Sequence, residues 1–506
     1  MRFSLRAGRD MSTRRDFLRM AGAGALAAAA PGLLWAQQTQ ATRPNVLFIA
    51  VDDLNDWANC LGGYGGSVHT PNLDRLAARG VLFTNAHCAA PSCNPSRTAV
   101  MTGIRPDVSG VYNNNQNWHE SPVLQDAETI PRHFRAAGYR AVGGGKIFHA
   151  LSWIQTSYGL DLNDFGAWDE YFPSKQRSMP ETSWPAGATE DAQHTWRWDP
   201  VARGYVGRRP PYYFDWGAIP VPDDQVGDFK VVDWAIGELQ RPHPEPFFQA
   251  VGIFKPHIPW FVPQKYFDLY PLEEIVTPDV RLDWEVNTPP EGLGLVRRDW
   301  HKWVLQNDQW RRAIQGYLAS ISFADAQLGR LLDALDASPH RGNTIVVLWS
   351  DHGFHLGERD HWEKFTLWER STRVTFMVTA PGVTTPGGRC AEPVNLLDIY
   401  PTLNELCGLP GMSRLSGRSL VPQLRDPTTS RPRPIVTTWG ESHAVRDTRW
   451  RYILYGDGGE ELYDHDNDPG EWRNLARDPE HTETKAELLD WLLRIVPERR
   501  DPVGRG

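Results

Sequence analysis

Short apolar, β-branched runs alternate along this chain with segments whose apolar residues recur at helical spacing, the pattern of an α/β fold with a mainly parallel sheet. Val46 to Val51 reads as a buried strand, and Thr70-Pro71 through Gly80 as a helix with an N-cap, a proline at its first position and a glycine stop. Pro131 to Gly138 repeats that grammar and leads into a strand over Tyr139 to Val142. Phe247 to Phe254 and Thr344 to Trp349 read as two further buried strands, and Tyr317 to Leu335 as a long helix. The stretch between Gly159 and Pro246 is rich in Trp, Pro and Asp with little periodicity, which predicts long loops around a site. From about residue 426 the pattern changes: Pro-rich Thr428 to Pro434, a strand over Arg451 to Leu454 and a terminal helix around Thr484 to Ile495. The expectation is a large domain over 41–425 and a small sheet-plus-helix subdomain over 426–506.

In open α/β sheets ligands gather beyond the carboxyl ends of the strands. The first strand here runs into Asp52-Asp53, another into Lys146 and His149, a third into Lys255-Pro256-His257 and a fourth into Asp351-His352. Each of these alone reads as a capping or solvated loop residue. Four strand ends delivering carboxylates, imidazoles and ammonium groups to one rim read as a site.

Composition narrows the class. With 41% hydrophobic and 23% charged residues the chain is globular rather than disordered. The first 36 residues carry Arg at 2, 6, 9, 14, 15 and 19 against Asp10 and Asp16, so removing that +4 segment takes the formal charge from -9 to -13. No basic face for nucleic acid is implied. The 22 Trp suit sugar faces, yet core and surface packing accounts for most of them. Five cysteines without a CxxC pair give neither a disulfide scaffold nor a zinc site, and any pairing among Cys60, Cys88, Cys390 and Cys407 is left open.

Ser12-Thr13-Arg14-Arg15-Asp16-Phe17-Leu18-Arg19 precedes an uncharged, Ala-rich stretch from Ala21 to Ala36 and resembles a twin-arginine export signal, with Met11 an alternative start. That stretch has 16 residues and contains Pro31, whereas a spanning helix needs about 20. The expectation is a signal peptide over 1–36, a periplasmic or secreted mature chain and no stable membrane anchor.

The segment that carries chemistry is Cys93-Asn94-Pro95-Ser96-Arg97-Thr98-Ala99-Val100-Met101-Thr102-Gly103. Residues from Ser96 onward can form the first turn of a helix, whose free N–H groups favour an anion, and Arg97 adds a planar fork of donors. The segment resembles the signature of the formylglycine-dependent type I sulfatases of the alkaline phosphatase-like superfamily. In that family the Cys of Cys-x-Pro-Ser-Arg is oxidised to formylglycine by a separate formylglycine-generating enzyme. Lys146-Ile147-Phe148-His149 and Lys255-Pro256-His257-Ile258-Pro259 resemble the iduronate-2-sulfatase-like branch, as does His352 where many members carry Asn. Lys364 falls at the position of a second active-site Lys, and the likeness runs from Asn45 to about Leu475.

The resemblance implies a fold with a large mainly parallel sheet flanked by helices, plus a smaller C-terminal α+β subdomain. It implies one calcium ion held by Asp52, Asp53, Cys93, Asp351 and His352, with zinc as the alternative; hard carboxylate oxygens suit calcium or magnesium. It further implies a hydrated aldehyde held by the metal and Arg97, with Lys146 and Lys364 neutralising sulfuryl oxygens. His257 would protonate the leaving alcohol, and His149 would take the proton whose loss expels sulfate. The substrate class implied is a sulfated saccharide, including a 2-sulfated uronic acid. The alternatives are phosphonate or phosphate monoesters, small alkyl or choline sulfates, or a non-catalytic sugar-binding protein, which would have lost rim residues. Phe354, where lysosomal members carry Trp, predicts a different leaving-group pocket.

Overall fold

The computed structural model describes residues 43–149, 162–174, 206, 210, 213–281 and 283–497. The expected export segment lies outside them. The described residues from Pro44 onward cluster as one compact unit. Its centre is an eight-stranded sheet built from β1 (Asn45–Val51), β2 (Val81–Phe83), β3 (Arg140–Gly145), β4 (Glu170–Phe172), β5 (Phe247–Ile253), β6 (Thr344–Ser350), β7 (Phe376–Thr379) and β8 (Gly388–Cys390), in the order β8-β2-β7-β6-β1-β5-β3-β4. Only β7 runs against its neighbours. The four strands read from sequence, β6, β1, β5 and β3, are consecutive at the middle of this sheet. Their register aligns Val51 with Ile253 and Ser350, and Gly145 with Gly252. The residues that follow each strand therefore emerge side by side.

Alternation along β1 sends Leu47, Ile49 and Val51 into one core and Val46, Phe48 and Ala50 into another. The first core is closed by α4 (Gly227–Gln240) and α5 (Trp310–Ala337), through residues such as Val231, Leu239, Tyr317 and Leu318. The second is closed by α2 (Cys93–Thr102), α3 (Ile130–Ala136) and α6 (Ile399–Leu406), through Val100, Met101, Phe134 and Tyr400. Helices on both faces account for strands that are apolar on both sides.

Helix α1 (Pro71–Arg79) has its proline and stopping glycine as read, but for a different reason at the end. Gly80 is not left-handed there; a Cβ would lie 2.2 Å from the Val378 carbonyl oxygen, so close approach to β7 requires glycine. Two sequence expectations are corrected. The long helix starts at Trp310, seven residues before Tyr317, with the Trp310 indole donating to the Leu356 carbonyl at 2.7 Å. The aperiodic segment also contains α4, whose buried Val231, Val232, Ala235 and Leu239 keep helical spacing.

The tail forms a four-stranded antiparallel sheet, β9 (Ile435–Trp439), β10 (Ser442–Arg446), β11 (Trp450–Leu454) and β12 (Glu460–Asp464), covered by α7 (Thr482–Ile495). Leu488 and Leu492 pack onto Val436, Val445, Tyr452 and Leu462. Among the described residues all five cysteines are free, and no helix is long and apolar enough to cross a membrane.

Candidate active site

The sheet register delivers Asp52 and Asp53 from β1 and Asp351 and His352 from β6 into one buried cluster, all at 0% exposure. Asp53 takes a left-handed turn at φ 62, which aims its N–H at Asp351 Oδ1 (3.1 Å) and its carbonyl at the Tyr317 hydroxyl (2.8 Å). Helix α2 starts at residue 93, so Cys93 lies at the positive end of the helix. Ser92 and the Asn94 N–H both donate to Asn114 Oδ1, which fixes that turn, and Ser96 Oγ donates to the Asp351 carbonyl at 2.6 Å.

Cys93 Sγ is 3.2 Å from His352 Nε2, 3.3 Å from Lys364 Nζ and 4.0 Å from Asp53 Oδ1. Burial resists ionisation of this thiol, but Lys146 and Lys364 outweigh it and draw its pKa below the ordinary value. At half-buried Cys60, burial and then Asp74 outweigh Arg389 and push the thiol up to about 12. Lys364 is not a surface residue: it is 2% exposed and also donates to Asp53 Oδ1 at 2.6 Å.

Arg97 is spread over the site's carboxylates and two carbonyls. Its Nε donates to Asp351 Oδ2 and one Nη to Asp52 Oδ1, both at 2.8 Å, while the other Nη bonds the carbonyls of Lys146 and Ile147 at 2.6 and 3.1 Å. Among the described residues its hydrogen bonds reach carboxylates and carbonyls, not the Cys93 sulfur. It holds the β1, β3 and β6 ends together. Lys146 ion-pairs with the other oxygen of Asp52. Both Asp52 oxygens are thus engaged, as are both oxygens of Asp351.

Asp53, Cys93, Asp351 and His352 present ligand atoms within 4.8 Å of one another. Among the described residues Asp53 Oδ2 is buried with no hydrogen-bond partner, and burial pushes that carboxyl up to about 7 even beside Lys364. Burial disfavours a charged His352, yet Asp351 and Cys93 hold the imidazolium up at about 9. Burial keeps the proton on Asp53, while Asp351 and Cys93 keep it on His352, and two carboxylates with an imidazole and one unpartnered oxygen fit a divalent cation.

Two histidines flank the cluster. His257 donates through Nδ1 to the Ile258 carbonyl at 2.5 Å, which turns Nε2 toward Asp53 Oδ2 at 3.9 Å. His149 is 4% exposed, and among the described residues neither of its ring nitrogens has a hydrogen-bond partner. Burial, then the neighbouring lysines, depress both imidazoles well below 6.5. The loop carrying His257 is clamped by Asp228, whose two oxygens accept the N–H groups of Phe254 and Lys255 at 2.8 and 2.9 Å. Sequence reasoning missed Asp228 because α4 was read as loop; an acidic residue in a helix's first turn was the available signal. Phe354 does not line a leaving-group pocket: it is fully buried against Tyr317 and Trp260 at 5.6 and 5.8 Å.

A buried carboxylate and imidazole cluster at the carboxyl edge of a mainly parallel sheet, facing a helix start, defines a hydrolase of anionic esters. The family model described as Sulfatase matches residues 44–409, and one described as N-sulphoglucosamine sulphohydrolase, C-terminal, matches 357–497. A sulfatase of Formosa agariphila is 40% identical, covering 90% of this chain and 87% of its own. The iduronate 2-sulfatase of Homo sapiens is 31% identical over 72% of this chain and 69% of its own. The phosphonate monoester hydrolase of Agrobacterium radiobacter shares the fold with a TM-score of 0.70 at 23% identity, covering 90% of this chain and 96% of its own. The chain belongs to the sulfatase family and is a sulfuric ester hydrolase.

Proposed function

We propose that this protein removes sulfate from a sulfated saccharide, with a 2-sulfated uronic acid as the favoured unit, using formylglycine made from Cys93 and one calcium ion. The observation that carries the reading is the position of Cys93 at the start of α2, within 3.3 Å of both His352 Nε2 and Lys364 Nζ and beside the orphaned Asp53 Oδ2. Asp53, Asp351, His352 and residue 93 would hold the ion, with Asp52 beside them, and it would supply the charge that stabilises an anionic oxygen. The hydrated aldehyde would supply one hydroxyl to attack sulfur and a second whose deprotonation releases sulfate.

The chain's own groups do the remaining work. Arg97 fixes the two carboxylates from β1 and β6 in one geometry. Lys146 and Lys364, buried over the cluster, neutralise sulfuryl oxygens as charge develops there. The bond to Ile258 leaves His257 Nε2 as the nitrogen that delivers a proton to the departing alcohol. Because the lysines help keep this imidazole neutral in the free site, an arriving sulfate that offsets their charge also promotes its protonation. His149, with both nitrogens free of partners among the described residues, accepts the proton of the residual hydroxyl. Maturation requires a formylglycine-generating enzyme, and the Arg14-Arg15 segment would route the chain to the periplasm or the medium.

Mass spectrometry of the peptide spanning residue 93, paired with turnover of a 2-sulfated uronide, choline sulfate and a phenyl phosphonate, tests this reading. The expected result is an aldehyde at 93 and highest kcat/KM on the uronide. Full activity from protein carrying an unmodified thiol would overturn the nucleophile. Turnover confined to choline sulfate or the phosphonate would overturn the substrate.

A further inference from the structure

Beside Lys364 the rim of the site carries a cation that sulfate transfer does not employ. The Arg297 guanidinium lies 4.2 Å from the Trp300 ring and 5.1 Å from the Phe365 ring, and Phe365 packs against Trp439 at 5.5 Å. One Nη meets a Glu363 oxygen at 3.1 Å; the Arg297 side chain is 27% exposed, while Lys364 is buried at 3%. Arg297 thus stands nearer to solvent than the buried ammonium of Lys364.

Its spacing from the reacting atoms is fixed by named contacts. The Phe365 ring that stacks on Arg297 also lies 6.0 Å from Lys364 Nζ, so one ring lies against both cations, and Lys364 Nζ is 3.3 Å from Cys93 Sγ. His361 acts as a strut: its Nδ1 accepts the Arg297 backbone N–H at 3.2 Å and its Nε2 donates to the Lys364 carbonyl at 2.8 Å. The Phe365 N–H donates to the Pro91 carbonyl at 3.0 Å, tying the same segment to the loop that precedes Cys93.

We propose that Arg297, framed by Trp300 and Phe365, is a subsite that binds a carboxylate of the sulfated saccharide. This rests on the saccharide reading above and adds the residue that selects acidic sugars. A planar fork held between rings matches a carboxylate in two parallel hydrogen bonds, and Glu363 and the Tyr213 hydroxyl draw on only part of its five N–H donors. The flanking indole and phenyl faces suit the apolar face of a pyranose. A chain with a formal charge of -9 repels acidic sugars at long range, so a fixed cation at the rim decides which of them enter.

The test is a cycle between enzyme and substrate. kcat/KM is measured for the full chain, Arg297→Gln and Arg297→Lys on a 2-sulfated methyl glucuronide and on the same sugar with its carboxylate reduced to hydroxymethyl. The wild-type protein is expected to prefer the acid by about 10- to 100-fold. Arg297→Gln brings that ratio close to one, chiefly through KM, and Arg297→Lys retains part of it. Equal losses on both substrates would make Arg297 a support for Glu363 and overturn the subsite, as would a wild-type enzyme indifferent to the carboxylate. Should Arg297→Gln fail to fold, Arg297→Lys is read by the same ratio. Wild-type turnover of 4-nitrophenyl sulfate with neither sugar cleaved would remove the saccharide reading itself.

Discussion

At the scale of single residues, the chemistry is set by how the buried charges pair around residue 93, which leaves one oxygen of Asp53 over. Arg97 is fully committed to Asp52 and Asp351, so it cannot neutralise Asp53, and Lys364 reaches only one of the two Asp53 oxygens. The protons held by Asp53 at about 7 and His352 at about 9 stand where a cation would bind. Cation and proton compete for the same atoms, so binding must release protons, and affinity must fall as pH drops through 7, where Asp53 increasingly keeps its proton. Calorimetric titration of the metal-stripped protein with calcium, in buffers of different ionisation enthalpy, should show proton release at pH 7. Affinity at pH 6 should be weaker than at pH 8 by about tenfold or more. Affinity that is flat across this range would mean that these groups do not ligate the ion.

At the scale of elements, the site depends on how closely β3 and β5 approach. Lys146 follows Gly145, which is left-handed at φ 74, and a Cβ there would lie 2.1 Å from the Gly252 carbonyl oxygen. A Cβ on Gly252 would in turn sit 2.3 Å from the Lys146 backbone. Gly252→Ala therefore must push the end of β3 away and displace the ammonium that pairs with Asp52. The expectation is a loss of kcat on 4-nitrophenyl sulfate of about 100-fold with the thermal midpoint lowered, measured against Gly342→Ala, where a Cβ meets open space. Unchanged kcat would show that the position of Lys146 is not held by this contact. Much of this layer was legible in the sequence, because strands buried on both faces are continuous apolar runs and their ends carry the charged pairs. The short strands β2, β7 and β8 were not, since three or four residues give no period to read. Arg97's true partners were also hidden, because Asp52 and Asp351 lie 45 and 254 positions away and only sheet register brings them together.

At the scale of the whole molecule, the C-terminal sheet is tied to the residues around the site rather than standing apart from it. Strand β9 places the Thr438 N–H on the Ala89 carbonyl at 2.9 Å and the Thr437 hydroxyl on the Cys88 carbonyl at 2.6 Å, only a few residues before Cys93. Arg451, on β11 and 0% exposed, ion-pairs with Glu369 and with Glu471, the latter at 2.7 Å, and donates to the Leu367 carbonyl at 3.0 Å. The segment following Lys364 is held on its other side by Arg370 and Arg373, which both pair with Asp56, three residues after Asp53. Lys364 therefore keeps its place only while the tail sheet and the main sheet are both folded. Arg451→Met strands Glu369 and Glu471 with less buried counter-charge, a loss of about 3–5 kcal/mol. Urea unfolding of this variant, followed by tryptophan fluorescence and by circular dichroism, should shift to lower denaturant as a single transition, with activity lost along the same curve. If the tail were an independent unit the variant would unfold in two steps, with hydrolysis of 4-nitrophenyl sulfate surviving the first. That survival would detach the sheet from the catalytic centre, whereas coincident curves mean that the contacts at Cys88, Ala89, Leu367 and Glu369 make the tail part of the scaffold that holds residue 93.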